Sequence, residues 1–216
     1  MRKVCAKMVP KELTEEQKQR RVTICQDLLE RQDDILDRVI TGDETWVYQY
    51  NPNEAAKCTM EDCQFPMTKK IPLVQIKRQN NVVDFFDIRG IILYDYVPNG
   101  QNSQPSLLFG STEKAAEKVR WKRSKLFANN SWILHNDNAP AHTGLSVREF
   151  LATKQLTVLE HPAHSLDLAS NDFILFLKIK EILKGRHFDD IDNIRSNTTA
   201  ALKVIPQNQF QNCFEG

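Results

Sequence analysis

Residues 132–143, WILHNDNAPAHT, decide how the chain folds. Trp132, Ile133 and Leu134 form a short apolar run that predicts a buried strand, and Asp137 follows at its C-terminal end. A helix is predicted over 146–152 and a returning strand over 157–159, so the segment reads strand, helix, strand. Between Asp137 and Asp172 lie 34 residues, room for one helix and one strand before HPAHSLDLASNDF (161–173) brings a second carboxylate back. Upstream, TGDETW (41–46) supplies a third, Asp43, where a strand predicted over 45–50 begins. Taken singly, Asp43 reads as a turn residue, Asp137 as an Asx-turn former and Asp172 as a helix N-cap. Taken together, at two strand ends and a helix start, they are expected to converge on one sheet edge. Carboxylates gathered there are hard oxygen ligands, suited to Mg²⁺ or Mn²⁺ rather than zinc.

Outward from this segment the other elements follow. Thr14 opens a helix with a capping box to Gln17, and Val22, Cys25, Leu28 and Leu29 are expected on its packing face. Asp33 and Asp34 break that pattern. Residues 51–81 hold three prolines and no clean period, and read as a long loop inserted in the sheet. Strands are predicted over 82–86 and 91–97 around a type I turn from Asp87 to Gly90. A helix follows over 111–127, carrying Lys118, Arg120, Lys122 and Arg123. Asn171 or Asp172 opens the helix FILFLKIKEILK, which stops at Gly185. Strands first, then strand, helix, strand, helix, predicts an α/β mixed sheet with helices on its faces.

Composition narrows the function classes. A 216-residue chain that is 41% hydrophobic supports one sizeable core. The formal net charge of +1 provides no global basic field, so any nucleic-acid contact rests on local clusters. Five irregularly spaced cysteines argue against a disulfide framework, and Cys58 and Cys63 lack a second pair at zinc-ligand spacing. Among the histidines 135, 142, 161 and 164, the H-x-x-H at 161–164 is interrupted by Pro162. A zinc site there would need more soft ligands nearby. No apolar run approaches the ~18 residues that span a bilayer, and no secretory signal is visible.

The stretches VPKELTEEQKQRRV, TGDETWVYQYNP, FFDIRGIILYDYVPNGQ, NNSWILHNDNAPAHT, HPAHSLDLASNDFILF and KEILKGRHFD resemble the catalytic region of mariner-family transposases. The resemblance implies a ribonuclease H-like fold and a cut-and-paste DNA transposase that cleaves strands and transfers them. Two Mg²⁺ or Mn²⁺ ions would be held by Asp43, Asp137 and Asp172. His142, which ends DNAPAH, and Asn138 are expected to orient those ligands. In the inserted loop Lys69, Lys70, Lys77 and Arg78 are expected to meet DNA, as are Lys118, Arg120, Lys122 and Arg123.

Three regions are expected: 1–38 as linker and N-terminal helical arm, 39–200 as the catalytic domain with its loop at about 51–81, and 201–216 as a truncated C-terminal segment. The family's N-terminal paired helix-turn-helix region is expected to be absent. The Pro-Pro-Tyr-Ser-Pro-Asp-Leu signature reads Pro162-Ala163-His164-Ser165-Leu166-Asp167-Leu168, as in a partly degenerate copy. The partners implied are DNA, bound weakly and without sequence preference, and a homodimer, with no membrane; a DNA substrate implies the nucleus. The alternatives are an inactive DNA-binding or dimerising transposase derivative and a ribonuclease H-like nuclease.

Overall fold

The computed structural model describes residues 12–48, 79–98, 105–139 and 142–215. Helix α1 (Glu15–Ile35) opens on the expected capping box, Thr14 accepting from the Gln17 amide while Gln17 accepts from the Thr14 amide. It runs through Asp33 and Asp34 rather than breaking there. Its packing stripe differs from the expected one: Ile24 and Ile35 are buried, whereas Val22 and Leu29 are 48% and 66% exposed. Arg21, Ile24, Leu28 and Ile35 recur at helical spacing on the inward side, and an arginine at the second turn hid that stripe from a hydrophobic count.

Five strands form one sheet in the order β3-β2-β1-β4-β5, with β1 at Val39–Tyr48, β2 at Gln79–Asp87, β3 at Gly90–Tyr96, β4 at Ile133–His135 and β5 at Thr157–Val158. The first three pair antiparallel and the last two join in parallel, giving the mixed sheet the element order predicted. Strand β1 begins six residues before the predicted Thr45, so Asp43 lies mid-strand and not at its start. Residues 79–81, expected in the inserted loop, already belong to β2. The rest of that loop over 51–78, with Lys69, Lys70, Lys77 and Arg78, lies outside the described residues.

Strand alternation sorts the core into two layers. Ile40, Val83, Phe85 and Ile92 pack with helices α2 (Pro105–Lys122) and α4 (Leu145–Thr153), through Ala115, Val119, Val147 and Phe150. On the opposite face Val47, Val82 and Phe86 meet α5 (Phe176–Ile182), α6 (Ile191–Val204) and α7 (Gln207–Glu215). Gly42 is required where it stands, because a Cβ there would overlap the ring of Phe85, its cross-strand neighbour.

Two corrections concern helices. The predicted helix over 111–127 is two, α2 and the short α3 (Ser124–Ala128), separated at Arg123. The boundary expected at 200 falls inside α6. Ala201, Leu202, Phe210 and Cys213 are buried in the second layer, so 201–215 is part of the core rather than an appendage. A fully buried apolar side chain of this size contributes about 1.5–3 kcal/mol, and the sheet's second face depends on these residues. Among the described residues no helix is long and apolar enough to cross a membrane.

Candidate active site

Strands β1 and β4 run parallel with Thr41 opposite His135. Strand β4 then ends, and two further residues along each chain bring Asp43 and Asp137 level with one another where the ladder opens. On its other side Asp43 stands directly opposite Asp84 of β2. The sheet register therefore sets Asp84 and Asp43 side by side, with Asp137 just past the end of β4 next to them.

The loop after β4 completes the site. Asp137 forms the expected Asx turn, accepting from the Ala139 amide at 2.9 Å, and the His142 amide in turn bonds the Ala139 carbonyl at 2.9 Å. This folds His142 back over the open ladder. Its Nε2 lies 3.9 Å from an oxygen of Asp43, 3.5 Å from Glu44 and 3.6 Å from Asp137, with the His142 side chain only 8% exposed. One ligand atom each from Asp43, Glu44 and His142 lies within 4.8 Å of the others, compact enough to surround one cation. Glu44 escaped the sequence reading because alternation sends it to the face opposite Asp43. Only the ladder's opening lets His142 reach both.

Asp172 reaches the site from the second face. It is not the helix cap: Ser170 holds that position, and the Asp172 amide bonds the Ala169 carbonyl at 2.9 Å inside the first turn. That turn, Asn171–Leu175, is a π turn in which the Phe176 amide returns to the Asn171 carbonyl, five residues back. Before it, the loop over 161–168 is tied to α1. Arg21 donates to Ser165 Oγ at 2.9 Å and to both carboxylate oxygens of Asp167, and Arg20 pairs with Glu160 at 2.6 Å. His164, which stands where the family signature has an aromatic, takes a left-handed backbone conformation with φ +57°.

The electrostatics mark a cluster short of positive charge. Burial, with Asp43 and Asp137 adding to it, raises the Asp172 carboxyl to about 6. Burial likewise lifts Glu44 to about 7, against the pull of His142 and with Asp43 and Asp137 reinforcing it. Burial opposes charge on His142, but Asp43, Glu44 and Asp137 together outweigh it and raise the imidazole above its ordinary value. Glu44 Oε1 and His142 Nε2 are buried with no hydrogen-bond partner among the described residues. Orphaned ligand atoms facing hard oxygens suit a divalent ion of the Mg²⁺ or Mn²⁺ type.

Other expected residues fall in different places. Asn138 donates to the His161 carbonyl at 2.6 Å, tying the loop after Asp137 to the segment at His161. His135 and His161 are buried and bonded to each other at 3.2 Å, whereas His164 is exposed, so H-x-x-H forms no common site. Arg123 is withdrawn from the proposed DNA strip. It grips Asp87 at 2.6 and 2.8 Å, and its side chain is 15% exposed. Lys122 donates to the Ile91 carbonyl, and Arg120 lies over the Phe127 ring. Lys118 and Arg120 remain exposed. A cleft of about 630 Å³ opens beside Asp137, between Gln17 and Arg20 of α1 and Arg148 of α4.

No family model matches the chain. The Mariner Mos1 transposase of Drosophila mauritiana is 30% identical over 194 residues, 87% of this chain and 54% of the relative, so the chain spans about half that protein's length. Among solved structures, the Mos1 mariner paired end complex with Mn is 27% identical and aligns with all of this chain and 63% of its own, at a TM-score of 0.84. The catalytic domain of Mos1 mariner transposase, at 25% identity and a TM-score of 0.77, aligns over 96% of this chain and 91% of its own. The five-stranded mixed sheet flanked by helices is thus the ribonuclease H-like fold. By sequence and by fold, the chain is similar to the Mos1 mariner transposase over the part of it that forms the catalytic domain.

Proposed function

We propose that this chain is the catalytic domain of a mariner-type DNA transposase, with Asp43, Asp137 and Asp172 as the ligands of two Mg²⁺ or Mn²⁺ ions. The observation that carries the proposal is the carboxylate cluster at the open ladder: Asp43 next to Asp137, and Asp172 close enough for its titration to respond to both. The Mos1 complex that holds Mn supports the choice of ion. Bound there, the ions would supply activation of an attacking oxygen and stabilisation of a leaving one.

The chain's own residues do the rest. The Asx turn at Asp137 and the π turn at Asp172 fix two carboxylates from opposite sides of Asp43. His142, largely buried, sets its Nε2 between Asp43, Glu44 and Asp137. The reaction would be hydrolysis of a DNA phosphodiester, followed by attack of the freed 3′-hydroxyl on a second duplex. It needs no covalent protein intermediate, so no serine or cysteine nucleophile is called for.

DNA contact would come from cations near the cleft and on α2: Arg20 and Arg148 line the cleft, and Lys118 and Arg120 are exposed on α2. Such contacts reach phosphate alone, so binding would be weak, salt-sensitive and indifferent to sequence. A paired assembly, as in the Mos1 paired end complex, and a nuclear location complete the proposal. The test is nicking of supercoiled plasmid with Mn²⁺ or Mg²⁺. Wild-type protein should nick only with metal, and Asp137→Asn should abolish nicking while leaving weak DNA binding intact. Nicking that survives Asp137→Asn overturns the proposal.

A further inference from the structure

Behind the carboxylates lies a chain of buried polar side chains that the proposed chemistry does not use. His161, His135, Thr41, Asn171 and Asp84 are 7%, 7%, 2%, 1% and 0% exposed. Their contacts run in sequence: His161 Nδ1 to His135 Nε2 at 3.2 Å, His135 Nδ1 to Thr41 Oγ1 at 3.4 Å, Thr41 Oγ1 to Asn171 Oδ1 at 2.7 Å, and Asn171 Nδ2 to Asp84 Oδ1 at 2.8 Å.

The chemistry of the end members orients every bond between them. Asp84 Oδ1 accepts from the Asn171 amide, so Asn171 Oδ1 is turned toward Thr41 and must accept. The Thr41 hydroxyl gives its one proton to that oxygen and therefore accepts from His135 Nδ1–H. With Nδ1 protonated on a neutral ring, His135 Nε2 accepts from His161 Nδ1–H. All four bonds point the same way, so each polarises the next.

The placement of these residues matches that of the carboxylates. Thr41 precedes Asp43 by two on β1, positions that share a strand face, and His135, the last residue of β4, precedes Asp137 by two. Asn171 adjoins Asp172, and Asp84 is the cross-strand partner of Asp43. Every segment that delivers a proposed ligand is thereby pinned to the others by a side chain one or two residues away.

We propose that Asn171 is the central positioning residue of the active site, fastening the turn that carries Asp172 to both β1 and β2 as the hub of this one-way chain. Its carboxamide is the one side chain in the chain that both accepts from β1 and donates to β2. This rests on the metal-site reading above. Asp84, fully buried behind Asp43, serves as the terminal acceptor and not as a fourth ligand.

The experiment measures Mn²⁺ binding by calorimetry and by the loss of free-ion electron spin resonance, with melting temperature recorded beside each. Asn171→Ala should weaken Mn²⁺ binding about 10- to 100-fold, the effect of removing a group that orients a metal ligand. Asp84→Asn keeps an acceptor oxygen and should bind Mn²⁺ like wild type, whereas Asp84→Ala should lose affinity. Asn171→Ala with Asp84→Ala should be no worse than Asn171→Ala alone, because one chain is broken once. A lowered melting temperature with unchanged Mn²⁺ affinity in Asn171→Ala overturns the positioning role, and equal losses in Asp84→Asn and Asp84→Ala make Asp84 a ligand instead. Wild-type protein that binds no Mn²⁺ refutes the metal-site reading itself. The hub then stands or falls on exchange of the Asn171 carboxamide protons by NMR, which should be slow in wild type and fast in Thr41→Val; fast exchange in wild type overturns it.

Discussion

Asp84 and Asp87 lie three residues apart on β2, and neither side chain is exposed to solvent. Asp87 is gripped through both carboxylate oxygens by the guanidinium of Arg123, which interrupts the helix at α2–α3 to reach it. Asp84 accepts from neutral donors, the Asn171 carboxamide and backbone N–H, and its second oxygen has no partner among the described residues. Burial, with Asp43 adding to it, pushes the Asp84 carboxyl well above the usual range. The fold supplies a cation where a buried charge is structural. Around Asp84 it withholds one, and beside Asp43 and Glu44 it offers the titratable imidazole of His142 in place of a guanidinium, which is how a site prepared for an external cation differs from a salt bridge.

The largest test of that difference removes the internal cation. Arg123→Ala should cost about 3–5 kcal/mol in urea unfolding, because it strands the buried Asp87 charge, while Arg123→Met with Asp87→Leu should recover most of the loss. A loss below about 1 kcal/mol for Arg123→Ala would erase the contrast. The complementary test supplies the external cation. Mn²⁺ at 100-fold over its dissociation constant should add about 2.7 kcal/mol to stability. The rise should appear as a higher Tm in wild type and in Arg123→Met/Asp87→Leu alike, and be absent in Asp137→Asn.

pH gives the next effect. Glu44 titrates at about 7 in the folded chain against 4.5 for the free side chain. An acid whose folded value is raised stabilises fully below about pH 4.5, and that contribution is lost as the pH rises through 7. The loss should be on the order of 2–3 kcal/mol after a discount for partial exposure. His142, also raised, acts in the same direction, its contribution fading above its ordinary value of 6.5. Glu44→Gln should flatten this slope between pH 4.5 and 7 when Mn²⁺ is absent; an unchanged slope would show that Glu44 is not among the uncompensated acids. The smallest effect touches neither carboxylate: His164→Gly relieves a left-handed φ of +57° and should change stability by less than about 1 kcal/mol.

The sequence displayed the carboxylate contexts but not their electrostatics. The Thr14 cap, the Asp87–Gly90 turn and the strand after Trp132 were legible because each rests on a local rule, whereas the helix expected to run up to Gly185 ends at Ile182. Strand β1 was read too short because Thr41, Gly42, Asp43 and Glu44 interrupt apolar alternation, and they interrupt it because two of them carry the site's charge. Helices α6 and α7 were not predicted: polar Asn193, Asn197 and Thr199 dilute a stripe of Ile194, Thr198, Ala201 and Leu202 that declares itself only against the sheet. Arg123 looked like one more cation on a basic strip. Its partner is 36 residues away, across a hairpin and a helix, and no local pattern reports a pairing of that range.

The π turn at Asn171–Leu175 absorbs one residue more than an ordinary helical turn, directly beside Asp172. Leu175, Phe176 and Ile179 anchor α5 in the core, while Asn171 and Asp172 precede them by one widened turn. Deleting a single residue between 173 and 175 would let the Phe176 amide bond the same Asn171 carbonyl four residues back, as in an ordinary α-helix. Asn171 and Phe176 would stay in register, and the widened backbone beside Asp172 would be lost.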